Sequence, residues 1–544
     1  LNRQFLGPTG LALAAVLVLC VVAPPEVRGS ALAAMALFIV GFSATAVRSS
    51  ASLWVFAAVP LALVVTRTAI APGEAVEPAV CILLAALAGI GAAHLSDRVE
   101  TLGPLFAALL TLASGRALYE TFWGLTAAAD RLREAVPAGD ALAVLNRLEQ
   151  GRPYGGFSTP AALGCFLIMT LPAVAAWALG KRGAVRALGL FAAALGASGL
   201  VATRSVSAMA ALAVALSLAG LRGRVAPRLI GLSAGALGLA IVAAAILRPD
   251  AVLAPKQQDS PWRLRAGNVR VALEIARDHP LAGVGPGGFA EAFPQYRRVG
   301  DNESRHAHDL PAELVADWGV PVGLLLSALF FWMFLGPVVG AAADPRTLTS
   351  GLAVGVAAFA IHNVADFTAF LPSLLVFAAV CRGLIVKSAP RARAIPAVRA
   401  AWVALVLAVA VVAAGSGLSR DALFDAREAA VAGDHEAALH FAERAARLAP
   451  WDADPPQFAA EARMASGAGA DAVLADAERA VRRAPSRAAA RMVRARARTA
   501  VGDLGGAYAD AAEAQRLYPL HPGYAAQRDA LASALEKASE ARPR

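Results

Sequence analysis

The sequence predicts an all-α protein: a polytopic transmembrane bundle of about thirteen spans, followed by an extracytoplasmic array of helical repeats. Three observations lead there. Of 544 residues, 58% are hydrophobic and 17% charged, with a mean hydropathy of +0.57. Soluble domains are usually under half apolar and about a quarter charged. Apolar runs long enough to cross a bilayer core recur through residues 1–419. Beyond residue 419 the composition turns abruptly to Ala, Arg, Glu and Asp with helical periodicity.

In chain order the apolar runs centre near residues 16, 38, 60, 86, 110, 168, 193, 213, 238, 330, 356, 375 and 409. The first, about Pro8 to Ala23, has no small-x-small cleavage site and reads as a span rather than a leader. With a cytoplasmic N-terminus, the inner loops hold Arg48, Arg98, Lys181, Arg182, Arg186, Arg222, Arg224, Arg228, Arg346 and the basic cluster from Arg382 to Arg399. The short outer loops hold only Arg28, Arg67 and Arg204. That bias follows the positive-inside rule, so the net charge of +10 reports topology rather than nucleic-acid affinity. Two long loops, about 120–157 and 248–309, then face the periplasm, as does the tail. Cys20, Cys81, Cys165 and Cys381 lie in or beside apolar runs without CxxC spacing and read as small hydrophobes.

Residues 420–544 form the expected second domain. Gly433, Ala438, Ala445 and Pro450 recur as Gly502, Ala507, Ala514 and Pro519, with Ala480 and Pro485 between them and Ala468 where the middle unit wants glycine. Prolines near a 34-residue period suggest tetratricopeptide-like repeats, whose small residues let paired helices approach. A generic Ala-rich hairpin array is the alternative.

A polar island interrupts the apolar runs. Arg277-Asp278-His279-Pro280-Leu281-Ala282-Gly283-Val284-Gly285-Pro286-Gly287-Gly288-Phe289 closes an amphipathic stretch. Tyr296-Arg297 follows, then Arg305-His306-Ala307-His308-Asp309 and another helix containing Asp317-Trp318-Gly319. Upstream, Arg152-Pro153-Tyr154-Gly155-Gly156-Phe157 leads into one helix, and Thr203-Arg204-Ser205-Val206-Ser207 separates two others. In this order, over residues 100–385, the motifs resemble the O-antigen ligase and polymerase superfamily. That resemblance implies a membrane enzyme moving a glycan from an undecaprenyl-pyrophosphate carrier to an acceptor outside the inner membrane. It also implies an essential histidine, matched by His308, with Asp309 standing where the family has Asn.

Each candidate has a physical rationale. A neutral imidazole at His308 can take the proton of an attacking sugar hydroxyl, with Asp309 or Asp317 orienting it. An interfacial histidine satisfying a local hydrogen bond is the plainer reading, and His306 competes for the role. Arginine presents a planar fork that binds phosphate oxygens in pairs, which makes Arg152, Arg265, Arg204 and Arg270 candidates for the donor pyrophosphate. Singly, each could instead anchor the membrane interface. Gly285 and Gly287 lie in a formal GxGxxG match without a βαβ context, so they read as a tight turn bringing backbone close to a helix or to phosphate. His362 and Asp366 stay unassigned at the end of an apolar run. No metal-ligand spacing stands out, and neither metal nor cofactor is expected.

The expected activity is metal-independent glycosyl transfer. The acceptor is lipid A-core for a ligase, another lipid-linked repeat unit for a polymerase, or a protein hydroxyl for an oligosaccharyltransferase. A flippase or transporter would carry charges and broken helices at the midplane; a scaffold for the repeats would not need the His308 and arginine set. Expected partners are the lipid-linked donor, the acceptor, the bilayer and a protein bound by the repeats, with no nucleic acid. The expected location is the bacterial inner membrane.

Overall fold

The computed structural model describes residues 8–24, 26–43, 72–135, 138–221, 261–340, 344–386 and 396–540. Among these, all regular structure is helical. Eleven expected apolar runs are helices, while the runs near 60 and 238 lie outside the described residues. Six described helices are long and apolar enough to cross a membrane, and five more apolar helices are shorter, at 10–17 residues.

Small residues set the helix spacing in the bundle. α1 (Pro8–Val22) pairs with α2 (Gly29–Ser43), and α3 (Pro72–Ala93) packs against α15 (Pro372–Ile385). A Cβ on Gly383 would stand 2.1 Å from the carbonyl oxygen of Gly89, so only glycine allows that contact. α7 (Pro160–Leu179) meets α14 (Leu348–His362) through Gly351 and Gly355 in the same way. Phe377 of α15 lies edge-on to Phe166 of α7 and to Phe106 of α4 (Gly103–Tyr119), all three buried. By contrast, α8 (Gly183–Thr203) and α13 (Val320–Val339) expose Leu188, Phe191, Leu324 and Trp332, which suits an acyl-chain environment.

Of the two stretches expected as long loops, the first is largely helical and the second carries two helices among its described residues. α4 continues through a π-turn, Glu120–Gly124, into α5 (Leu125–Ala135), and α6 (Ala138–Glu149) folds back over it. Ala129 and Leu145 are buried between them, an amphipathic pairing too short to register as apolar runs. The second stretch contains α10 (Pro261–Asp278) and α11 (Phe289–Tyr296), followed by α12 (Leu310–Trp318).

The composition change expected at residue 419 falls inside α16 (Pro396–Val431), a 36-residue helix with no break there. Six helices follow: α17 (His435–Leu448), α18 (Asp454–Ala465), α19 (Ala470–Arg483), α20 (Ala488–Ala500), α21 (Leu504–Leu517) and α22 (Tyr524–Glu540), each packed on the next. The middle unit has its glycine one position earlier than expected, at Gly467 rather than 468. Gly433, Gly467 and Gly502 all adopt positive φ, at 80°, 72° and 83°. In each case the next residue's N–H bonds the carbonyl five residues back. Ala449, Ala484 and Tyr518, each preceding a proline, share φ of −129° to −140° and ψ of 76° to 78°.

Candidate active site

Two loops meet first. α8 ends at Thr203 and α9 (Val206–Leu221) begins three residues later, with Arg204 left-handed at φ 51°. The Arg152 Nε–H donates to Thr203 O at 2.9 Å, and Arg204 Nη1 donates to Gln150 O at 3.0 Å. Both arginines therefore tie the 150–157 loop to the α8–α9 break. Glu120 of the π-turn completes the fastening by accepting the Tyr154 and Gly155 N–H groups at 2.6 and 2.8 Å.

The end of α14 supplies the next layer. Asn363 accepts from Ala369 N–H at 2.6 Å and shapes a turn that carries Asp366, Phe367 and Thr368. His362, 1% exposed, approaches Thr368 Oγ1 through Nδ1 at 3.1 Å and Ser207 Oγ through Nε2 at 3.2 Å. Asp366 Oδ2 lies 3.9 Å from that same Nε2, so Ser207, His362 and Asp366 lack the two-sided imidazole geometry of a nucleophilic triad. Asp366, also 1% exposed, faces Arg265 Nη2 at 3.4 Å. The two residues left unassigned in the sequence thus complete a polar chain from Arg152 through Thr203, Ser205, Ser207 and His362 to Asp366 and Arg265. Their signal was ionisable character at membrane depth.

His308 is laid on this turn, because the Leu310 N–H donates to Asn363 O at 2.9 Å. It is left-handed, at φ 58°, an uncommon and strained conformation for a residue with a side chain. Its ring meets Phe367 edge-on at 4.7 Å, and its Nδ1 is buried without a hydrogen-bond partner among the described residues. Burial pushes the imidazole down from 6.5 to about 4, an effect the Asp366 carboxylate opposes while Arg265 and His306 reinforce it. His306 is placed differently. It stacks on Phe367 and Phe370, and its Nδ1 is 2.8 Å from buried Glu313, which also accepts the Ala307 N–H.

The two carboxylates expected beside His308 are engaged elsewhere. Asp309 caps α12 by accepting the Ala312 N–H at 2.9 Å, as a residue at a helix start should. Burial raises its carboxyl above the ordinary value. Asp317, 2% exposed, accepts the Gly287 and Phe289 N–H groups at 2.8 and 2.9 Å. Gly285 and Gly287, at φ 107° and 72°, form the cradle for that carboxylate, and Gly285 N–H bonds Asp317 O at 2.8 Å. The close approach expected of this turn is thus made to α12. Arg270 sits between Glu274 of its own helix, at 2.7 Å, and Asp301 on the polar stretch that runs up to His308, at 2.5 Å. The structure gathers His308, Arg265 and Asp366, links Arg152 and Arg204 to them through the α8–α9 break, and gives Arg270 to a separate ion-pair network.

No curated protein matches the chain. Among solved structures, one described as "First TPR of Spaghetti (RPAP3) bound to HSP90 peptide SRMEEVD" is similar at 19% identity, covering 22% of this chain and 95% of that one, with a TM-score of 0.22. Residues 191–327, which include Arg204, Arg265, the glycine turn and His308, match the family model described as O-Antigen ligase, so this part of the chain is similar to that family of membrane proteins.

Proposed function

We propose that the protein moves a glycan from an undecaprenyl-pyrophosphate carrier to an acceptor hydroxyl on the periplasmic side of the inner membrane, with His308 as the base. The observation that carries this reading is the His308 ring: neutral, half-buried, with an unpartnered Nδ1 and an Arg265–Asp366 pair beside it. The acceptor oxygen attacks the anomeric carbon as the bond from that carbon to the phosphate oxygen breaks. The electron pair leaves on the lipid pyrophosphate, and the hydroxyl proton goes to His308. Arg265 gives Asp366 one long contact, which leaves guanidinium nitrogens to meet phosphate as charge develops there. Arg152 and Arg204 line the neighbouring break, so arginines rather than a metal ion stabilise the leaving group in this reading. His362 and Asp366 hold Arg265 in register. The recurrent glycine turns and pre-proline residues of the tail support tetratricopeptide-like units there, from about residue 420, exposed on the same side and presenting a surface to a protein.

The test is transfer of a radiolabelled glycan from lipid pyrophosphate by purified protein, offered lipid A-core, a second lipid-linked unit and a hydroxylated peptide in parallel. The ligase form predicts product on lipid A-core, in EDTA as well as without it. Product on neither glycolipid nor peptide would overturn the transferase reading. Loss in EDTA with recovery on adding a divalent cation would overturn the metal-independent form.

A further inference from the structure

The stretch leading to His308 has little backbone structure of its own. From Arg297 to Asp309 there is no helix, and side chains hold the chain in place. On one side Arg270 takes Asp301 at 2.5 Å, and Glu274 takes Arg298 at 2.6 Å. On the other side stand residues of the C-terminal array. Arg487, between α19 and α20 and 16% exposed, donates through Nε to Glu291 of α11 at 2.9 Å and pairs with Asp454 of α18. The Tyr518 hydroxyl, just after α21, accepts from Arg297 Nη1 at 2.8 Å and hydrogen-bonds Glu303. α11 is coupled inward as well. Its Phe289 and Phe293, each 1% exposed, pack in one cluster with Ala307, the neighbour of His308.

We infer that the array is a positioning element of the transfer site. Arg487 and Tyr518 hold α11 and residues 297–305, and through Phe289, Phe293 and Ala307 they set the left-handed backbone at His308. The inference rests on the reading of His308 as the base, but its test has a readout that does not depend on that reading.

The experiment compares Arg487→Glu, Glu291→Arg, the double variant and Tyr518→Phe in the full-length protein, with Arg528→Ala as control. Amide exchange over residues 289–308 is followed alongside kcat and KM for glycan transfer. Each charge reversal should speed exchange in that stretch and lower kcat about tenfold or more with KM little changed, and the double variant should recover part of both, because Asp454 still faces a like charge. Tyr518→Phe keeps the fold and should show a smaller change of the same kind. Arg528→Ala, at a residue that pairs with its neighbour Asp529 among the described residues, should match wild type. Unaltered exchange in the single reversals would overturn the clamp. Faster exchange with unchanged kcat would overturn its positioning role, as would a double variant no better than either single one. If His308→Ala proves active, the base assignment fails while the exchange result still judges the clamp.

Discussion

In the array, three guanidinium groups converge on one carboxylate; at the site, one guanidinium touches its carboxylate at a single long contact. Arg494 gives Asp510 two hydrogen bonds at 2.7 and 2.6 Å, Arg498 adds one at 2.8 Å, and Arg491 lies 3.8 Å away. Arg265 reaches Asp366 at 3.4 Å and rests 5.8 Å over the Trp262 ring. The two histidines differ likewise, His306 being held by Glu313 and two phenylalanines while His308 keeps a buried, unpartnered nitrogen. Saturated groups hold a fold together. Groups left partly open by an otherwise complete structure are available to a ligand.

Substitutions that exchange the two kinds of group should break or sharpen this contrast. His308→Ala should lower transfer by about 10²–10⁴-fold at unchanged thermal stability, as expected for loss of a positioned base. His306→Ala should instead lower the melting temperature more than the rate; the opposite pattern would mean that the roles are reversed. Asp510→Asn should cost the array about 1–3 kcal/mol, because it leaves part-buried cations without the buried carboxylate they converge on. Calorimetry should detect that loss, with normal transfer below the melting transition. Arg265→Lys keeps the charge but loses the fork, and kcat should fall about tenfold to a hundredfold. Full activity in this variant would make Arg265 an interface anchor.

The smallest effect is one of pH. His308 is neutral in the free protein down to about 4, and a pyrophosphate beside it would favour the protonated ring. The acid limb of kcat/KM should therefore lie below the acid limb of kcat when both profiles are measured. The stability His308 contributes follows the same shift. It is complete above the unfolded value of 6.5 and is lost as pH falls towards about 4, because the unfolded chain takes up the proton first.

Hydrophobicity is a local property, so the apolar helices could be read from sequence, whereas the motifs offered His308, Arg265, Arg152 and Arg204 as candidates without saying which of them meet. The helices α5 and α6 were hidden because one buried stripe in a charged segment looks like a loop. Arg265 and Asp366 are 101 residues apart, and no spacing rule joins them. The use of Arg270 could have been foreseen, since Glu274 stands four residues on along the same helix. Gly467 lies 34 residues after Gly433, a spacing the sequence also offers, but positive φ leaves no mark on a sequence to single it out from Ala468.

The unbroken course of α16 has a mechanical consequence. Thirty-six residues span about 54 Å, against about 30 Å of hydrocarbon, so a single rod carries a membrane segment and the foot of the array. Asp421 fastens the rod to the start of α2, accepting the Gly29 and Ser30 N–H groups at 2.8 and 2.6 Å, and this contact serves as a fulcrum. A helix accommodates a thicker or thinner bilayer by tilting. With the clamp inferred above, tilt of this rod predicts amide exchange over residues 289–308 that changes when the protein is moved between bilayers of different thickness.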